Sequence, residues 1–257
     1  TYTNIRDVPW ESLAAGDTVN IYWRATAYQE KFNATAGGTS SNPVLIHGVP
    51  DGSGNLPVID GNNAITRTLQ TYPSDERAVI NVGRDNNHGS GFQTSYVTIE
   101  NLEIKNGNAP NKYTSDDATV KTYNSGANGF YVAMTDHLTL RNCIIRDNGE
   151  GFFFSSSDGY GTTSYMLVEN CYINNNGVNA SDQVHGSYCE SLGLTYQYNH
   201  YGPNLSGCSG ANLKDRSAAT VIRYNWFEEG FWNIDLVDPE DSTIIANDPS
   251  YGRAFVY

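Results

Sequence analysis

Large apolar residues return along this chain in one short pattern that occurs five times between Tyr96 and Phe227. The copies read Ile99-Glu100-Asn101-Leu102-Glu103-Ile104, Leu140-Arg141-Asn142-Cys143-Ile144-Ile145, Val168-Glu169-Asn170-Cys171-Tyr172-Ile173, Tyr196-Gln197-Tyr198-Asn199-His200-Tyr201 and Ile222-Arg223-Tyr224-Asn225-Trp226-Phe227. Each opens and closes on a large apolar residue five positions apart, and successive starts are separated by 41, 28, 28 and 26 residues. Periods of this size mark arrays in which one supersecondary unit buries the face of the next. The units are rich in β-branched and aromatic residues, lack helical spacing and are punctuated by Asn106-Gly107, Asn148-Gly149, Gly177 and Gly202, which argues against helical repeats. A leucine-rich signature is absent, and a propeller blade needs an even period of about 40 residues. The pattern predicts an all-β chain wound as a single-stranded parallel β-helix.

In such a solenoid equivalent positions stack about 4.8 Å apart along the axis. Two inward columns follow: Ile99, Leu140, Val168, Tyr196, Ile222, and Ile104, Ile145, Ile173, Tyr201, Phe227. A third holds Leu102, Cys143, Cys171, Asn199 and Asn225, where an inward Asn is expected to bond its neighbour's amide and the backbone. A strand is predicted after each turn, at Gly129-Phe130-Tyr131-Val132, Gly151-Phe152-Phe153-Phe154, Gly186-Ser187-Tyr188-Cys189, Ala211-Asn212-Leu213-Lys214 and Phe231-Trp232-Asn233-Ile234. These strands are expected to form one sheet.

Upstream, the run from Val8 to Gly16 reads as a short helical turn capping the first coil, before a strand over residues 18 to 23, which would protect an exposed sheet edge. Val44-Leu45-Ile46-His47-Gly48, Val58-Ile59-Asp60-Gly61 and Val79-Ile80-Asn81-Val82 supply the opening coils. Insertions are expected around 62 to 77, 107 to 127, 174 to 184 and 202 to 210, and long loops on a rigid coil are where substrate walls are built. A solenoid needs no division, so residues 1–257 are read as one domain. The apolar run Arg253-Ala254-Phe255-Val256-Tyr257 has no polar cap behind it, and the natural chain is expected to continue past it.

Charged residues are only 17% and aromatics 12% of the chain, a balance common in secreted all-β carbohydrate-active proteins. The net charge of −13 with no basic stripe argues against a nucleic-acid partner and weakly against a polyanionic one. No run of 18 apolar residues exists to span a membrane. Cys143 and Cys171 share a repeat slot and are expected as free stacked thiols; Cys189 and Cys208 flank a loop of the kind a disulfide closes in exported proteins.

The opening Gly16-Asp17-Thr18-Val19-Asn20-Ile21 with Trp23-Arg24, then Pro57-Val58-Ile59-Asp60-Gly61, and above all Asn212-Leu213-Lys214-Asp215-Arg216-Ser217, Val221-Ile222-Arg223-Tyr224-Asn225-Trp226 and Ile234-Asp235-Leu236-Val237-Asp238, resemble a group of bacterial parallel β-helix proteins in the pectate-lyase-like superfamily, described generically as polysaccharide-degrading. The resemblance covers nearly the whole chain. It implies a right-handed helix, a polysaccharide partner and a secreted or cell-surface bacterial location. Of the motif set of polygalacturonase-like hydrolases only Asp116-Asp117 and His185-Gly186 match, 68 residues apart, too far for adjacent coils.

Outward positions on the sheet after the Gly turns bring His185, Tyr188 and Glu190 beside Lys214 and Arg216, with Asp235 and Asp238 beyond. Lys214 and Arg216 share a strand face. β-Elimination on a uronic acid needs a cation to neutralise the carboxylate and a base for the α-proton. Arg216, or a calcium ion held by Asp235, Asp238 or Glu240, is the candidate cation; Lys214, His185 or Tyr188 is the candidate base, with Glu190 and Asp235 as substrate contacts. Hydrolysis needs two carboxylates about 5 to 9.5 Å apart, with Asp235 and either Glu190 or Asp238 as candidates. A lyase is favoured over a hydrolase. The remaining alternative is a non-catalytic carbohydrate-binding or fibre-forming β-helix, open to oligomeric assembly, with Tyr160, Tyr165, Tyr172, Tyr196, Tyr198 and Tyr201 as stacking platform and about half of them in the core.

Overall fold

The computed structural model describes residues 1–70, 72–86 and 92–257. The chain is a parallel β-helix whose coils pass through three sheets in turn. The first sheet contains Thr18–Tyr22, Val44–Val49, Thr94–Glu100, Thr135–Arg141, Ser164–Glu169, Leu192–Gln197, Ala218–Arg223 and Ala254–Val256 in that order. Six short strands from Val58–Asp60 to Trp226–Phe227 form the third sheet. Between them in each coil's return path lies the second sheet, whose regular part is Glu30–Ala34, Ala78–Gly83, Asn128–Ala133, Glu150–Ser155, Ser187–Cys189, Ala211–Asp215 and Trp232–Leu236. Coils are numbered here by their first-sheet strand, so the fourth begins at Thr135 and the seventh at Ala218.

Both apolar columns stand in register. Leu140 pairs with Ile99 and Val168, and Tyr196 joins Val168 to Ile222; Ile46 extends the column upstream and Val256 downstream. Ile104, Ile145, Ile173, Tyr201 and Phe227 stack likewise in the third sheet. The repeat therefore straddles a corner, and the residue at the corner adopts a left-handed backbone: φ is 58° at Asn101, 53° at Asn142, 52° at Asn170, 56° at Tyr198 and 57° at Tyr224. Asn enters this region more readily than most L-residues, which is why it fills the slot in three copies.

Side-chain amides tie the corner from coil to coil. Asn199 Oδ1 accepts the Cys171 N–H at 3.0 Å while its Nδ2 donates to the Val168 carbonyl at 2.9 Å; Asn225 does the same for the Asn199 N–H at 2.9 Å and the Tyr196 carbonyl at 3.0 Å. A second stack marks the corner before the second sheet, where Asn148 accepts from Gly107 and Asn176 from Asn148. Beside it Gly129, Gly151 and Gly186 form a column in which a Cβ would lie 2.8, 2.1 and 2.5 Å from the carbonyl oxygen of the next coil. Glycine is required there by close backbone approach.

The cap consists of two 3-10 turns, Ile5–Asp7 and Trp10–Ser12, rather than one helical turn running to Gly16. Trp10 is fully buried and stacks on Phe32 at 3.9 Å, closing the core of the first coil. The two long insertions carry short strands, Ala64–Thr66, Lys112–Thr114 and Val120–Thr122, that extend the second sheet. Beneath them Lys31 is wholly buried, its Nζ donating to the carbonyls of Asp75 and Ala78 at 2.6 Å each and lying 4.0 Å from the centre of the Tyr113 ring. Among the described residues no helix is long and apolar enough to cross a membrane.

All four cysteines are free. Cys189 faces the core, whereas Cys208 sits in an outer loop against Gly177, so the loop-closing disulfide between them does not form. Burial pushes the Cys171 and Cys189 thiols well up. Thiol titration of native protein is expected to find Cys208 reactive and Cys143, Cys171 and Cys189 protected, with all four reacting after denaturation; a non-reduced peptide joining any two would contradict this. Val168 is fully buried in the first column, and a carboxylate there without a partner costs several kcal/mol. Val168→Asp should therefore abolish soluble expression, checked by comparing soluble yield with that of Val168→Ile.

Candidate active site

Strand alternation in the second sheet sends Ile80, Phe130, Phe152 and Leu213 into the core and sets Asn81, Tyr131, Phe153, Tyr188, Lys214 and Asp235 in one outward row. Over Tyr131, Phe153 and Tyr188, the segments bearing Arg77, Tyr160 and Glu240 wall this row into a cleft of about 360 Å³. Its floor is aromatic: Phe153 and Tyr188 stack at 4.7 Å with planes 5° apart, and Tyr131 meets Phe153 edge-on at 5.7 Å. Cations lie on these rings. The Arg77 guanidinium is 4.7 Å from the centre of Tyr131 and 5.2 Å from that of Phe153, and Arg84 is 4.2 Å from that of Tyr160.

Tyr188 is the meeting point of the residues expected from sequence. Arg216 Nε donates to its hydroxyl at 2.8 Å, Lys214 Nζ lies 5.5 Å from its ring centre, and the His185 ring stands edge-on at 5.6 Å. The hydroxyl donates in turn to Glu240 Oε2 at 3.3 Å. Burial pushes the Tyr188 hydroxyl up to about 12, so it keeps its proton at neutral pH. Among the described residues neither Lys214 nor Arg77 forms an ion pair, although Asp235 is the cross-strand partner of Lys214.

Three of the expected roles fall on residues that the structure engages in other contacts. His185 is buried, and its Nδ1 accepts the Ala211 N–H at 2.9 Å. Burial, with Lys214 and Arg216 nearby, pushes it down to about 3. It is a neutral ring with its acceptor nitrogen occupied, so it is not the base. Glu190 is buried too and does not line the cleft: its carboxylate accepts the backbone N–H groups of Glu240, Asp241 and Ser242 at 3.2, 3.2 and 2.8 Å. Finally, Asp235, Asp238 and Glu240 do not converge on a calcium-binding set, and no three acidic, His or Cys side chains do so among the described residues. Asp238 accepts the Tyr251 hydroxyl, Glu240 pairs with Arg216 at 2.9 Å, and Asp235 continues the outward row past Lys214.

Sequence reasoning missed Arg77, Arg84 and Glu150. Both arginines reach the cleft from outside the repeat, so no periodic signal marks them. Glu150 follows the Asn148-Gly149 turn at the start of its strand and is buried, with Oε1 lacking any hydrogen-bond partner. Burial pushes its carboxyl up to about 8, against the opposing pull of Arg77 and Lys214.

No protein-family model matches the chain, and no curated protein matches it. A solved structure of an alginate lyase from Paenibacillus sp. str. FPU-7 is similar over 89% of this chain and 93% of its own, with 13% sequence identity and a TM-score of 0.33. At that level the likeness carries no weight for the site or its chemistry.

Glu150 gives the site a pH signature. Between its ordinary value of 4.5 and about 8 the unfolded chain releases a proton that the folded chain keeps, so this group's contribution to stability falls as pH rises through that window. Glu150→Gln removes the slope. The Tm difference between variant and parent should grow in favour of the variant from pH 4.5 to 8, measured by thermal melts across that range; a constant difference would show an ionised Glu150.

Proposed function

We propose that this protein is an extracellular polysaccharide lyase that cleaves a uronic-acid-containing polymer by β-elimination in the cleft on the second sheet. The observation that carries this reading is the assembly around Tyr188, where Arg216 holds the hydroxyl at 2.8 Å and Lys214 sits over the same ring, on an aromatic floor that suits sugar faces. In a chain with net charge −13, Arg77 and Arg84 line this cleft and Lys214 and Arg216 flank its Tyr188, which favours an anionic polymer despite the acidic whole. In the proposed roles Arg216 and the Tyr188 hydroxyl hold the carboxylate and stabilise the charge that develops on it, Lys214 takes the α-proton and returns it to the leaving oxygen, and Arg77 meets a neighbouring uronate. Hydrolysis fits less well, because Glu190 is committed to backbone N–H groups and Asp238 to Tyr251.

The test is incubation with a panel of uronic-acid polysaccharides, reading unsaturated product by ultraviolet absorbance and reducing ends by a chemical assay. Unsaturated product is expected. Reducing ends without unsaturation would instead mark a hydrolase, and binding without either product a carbohydrate-binding β-helix. Lys214→Ala should cut elimination by at least about a hundredfold, in line with loss of a general base. Its side chain makes no ion pair among the described residues, so Tm should hardly move. Retained turnover with a lowered Tm would make Lys214 structural.

A further inference from the structure

Beyond Leu236 the chain doubles back across the cleft toward the short helix Thr243–Ala246. Two carboxylates from earlier coils pin this strap by its backbone. Glu190 of the fifth coil accepts the N–H groups of residues 240 to 242. Asp158, in the loop after the fourth coil, accepts the N–H and hydroxyl of Thr243 at 2.8 and 3.0 Å, and its own N–H donates to the Asp241 carbonyl at 2.9 Å. With the backbone fixed, the Glu240 side chain reaches into the cleft, where a single oxygen, Oε2, lies 2.9 Å from Arg216 Nη2 and 3.3 Å from the Tyr188 hydroxyl.

We propose that Glu240 occupies, in the free protein, the subsite that Arg216 and Tyr188 offer to a carboxylate of the substrate, so that it acts as a displaceable internal competitor and makes a uronate the sugar this subsite selects. The inference rests on the lyase reading above and adds the group that guards its carboxylate position. Exposure sets the exchange: the Glu240 side chain is 60% accessible while that of Arg216 is only 16%. Glu240 can therefore rotate into water at little cost, but Arg216, still bonded to the Tyr188 hydroxyl and the Asp238 carbonyl, would be a poorly solvated charge without a counter-ion. A uronate carboxylate replaces one anion by another and keeps Arg216 paired. A neutral sugar displaces Glu240 and leaves the guanidinium without an opposite charge, which is how a poorly solvated group rejects a ligand lacking its counterpart.

Glu240→Gln tests this with the full chain, by calorimetric titration of alginate and polygalacturonate oligosaccharides into parent and variant and by the kinetics of elimination. Removing a partly exposed competing ion pair should tighten oligouronate binding about three- to fivefold, lower KM by a similar factor and leave kcat unchanged, with the gain shrinking at high salt. Equal or weaker binding by a variant that melts like the parent overturns the inference while leaving the lyase reading standing. Failure of both proteins to bind any oligouronate overturns the lyase reading and this inference with it.

Discussion

Close stacking of the coils is the constraint on which everything else rests. At the corners, backbone from successive coils approaches so tightly that Gly129, Gly151 and Gly186 have no room for a Cβ, and the buried amides there are met by side chains of Asn148, Asn176, Asn199 and Asn225. A buried N–H without a partner costs a few kcal/mol, so each inward Asn offsets a penalty that an apolar residue in the same slot would leave. On the outside of the first sheet a polar ladder runs in parallel, from His47 through Glu100, Arg141, Glu169 and Gln197 to Arg223. Its members are partly exposed, and it contributes little per contact. What it does fix is register, because a slip by one residue would set every inward side chain outside.

That register is what builds the cleft. Tyr131, Phe153, Tyr188 and Lys214 belong to different coils and sit far apart in sequence, yet strand pairing places them side by side. The rings give the cations a surface that is apolar but electron-rich, which lets Arg77 rest there without an ion-pair partner among the described residues. An acidic protein thereby keeps a local positive field in one groove.

The columns were legible because their signal is periodic and apolar: Ile99, Leu140 and Val168 could be aligned by eye, and the pairings follow that alignment. Lys214, Arg216 and Tyr188 were legible for the same reason, since alternation along a strand decides which side chains face out. Charges that serve the backbone were not. Glu190 reads in sequence like any outward carboxylate, and only the return of residues 240 to 242 reveals it as a clamp. His185 carries the same lesson, for its fate is set by one N–H of Ala211 in the next coil. Arg77 and Arg84 enter from irregular segments, where position in sequence says nothing about position in space. Of the tyrosines read as a platform, Tyr196 and Tyr201 are core, Tyr160 and Tyr172 are partly covered, and Tyr165 and Tyr198 are exposed.

A solenoid ordinarily behaves as a one-dimensional lattice in which each rung is coupled only to its neighbours, so that an end can fray without disturbing the middle. The strap pinned by Glu190 and Asp158 breaks that rule here. It couples the chain leaving the seventh coil to the fifth coil and to the loop after the fourth, closing a circuit across the rungs that carry Tyr188 and Lys214. Opening of that end then has to release the strap as well, and the segment around the cleft becomes one cooperative unit rather than a sum of separable layers.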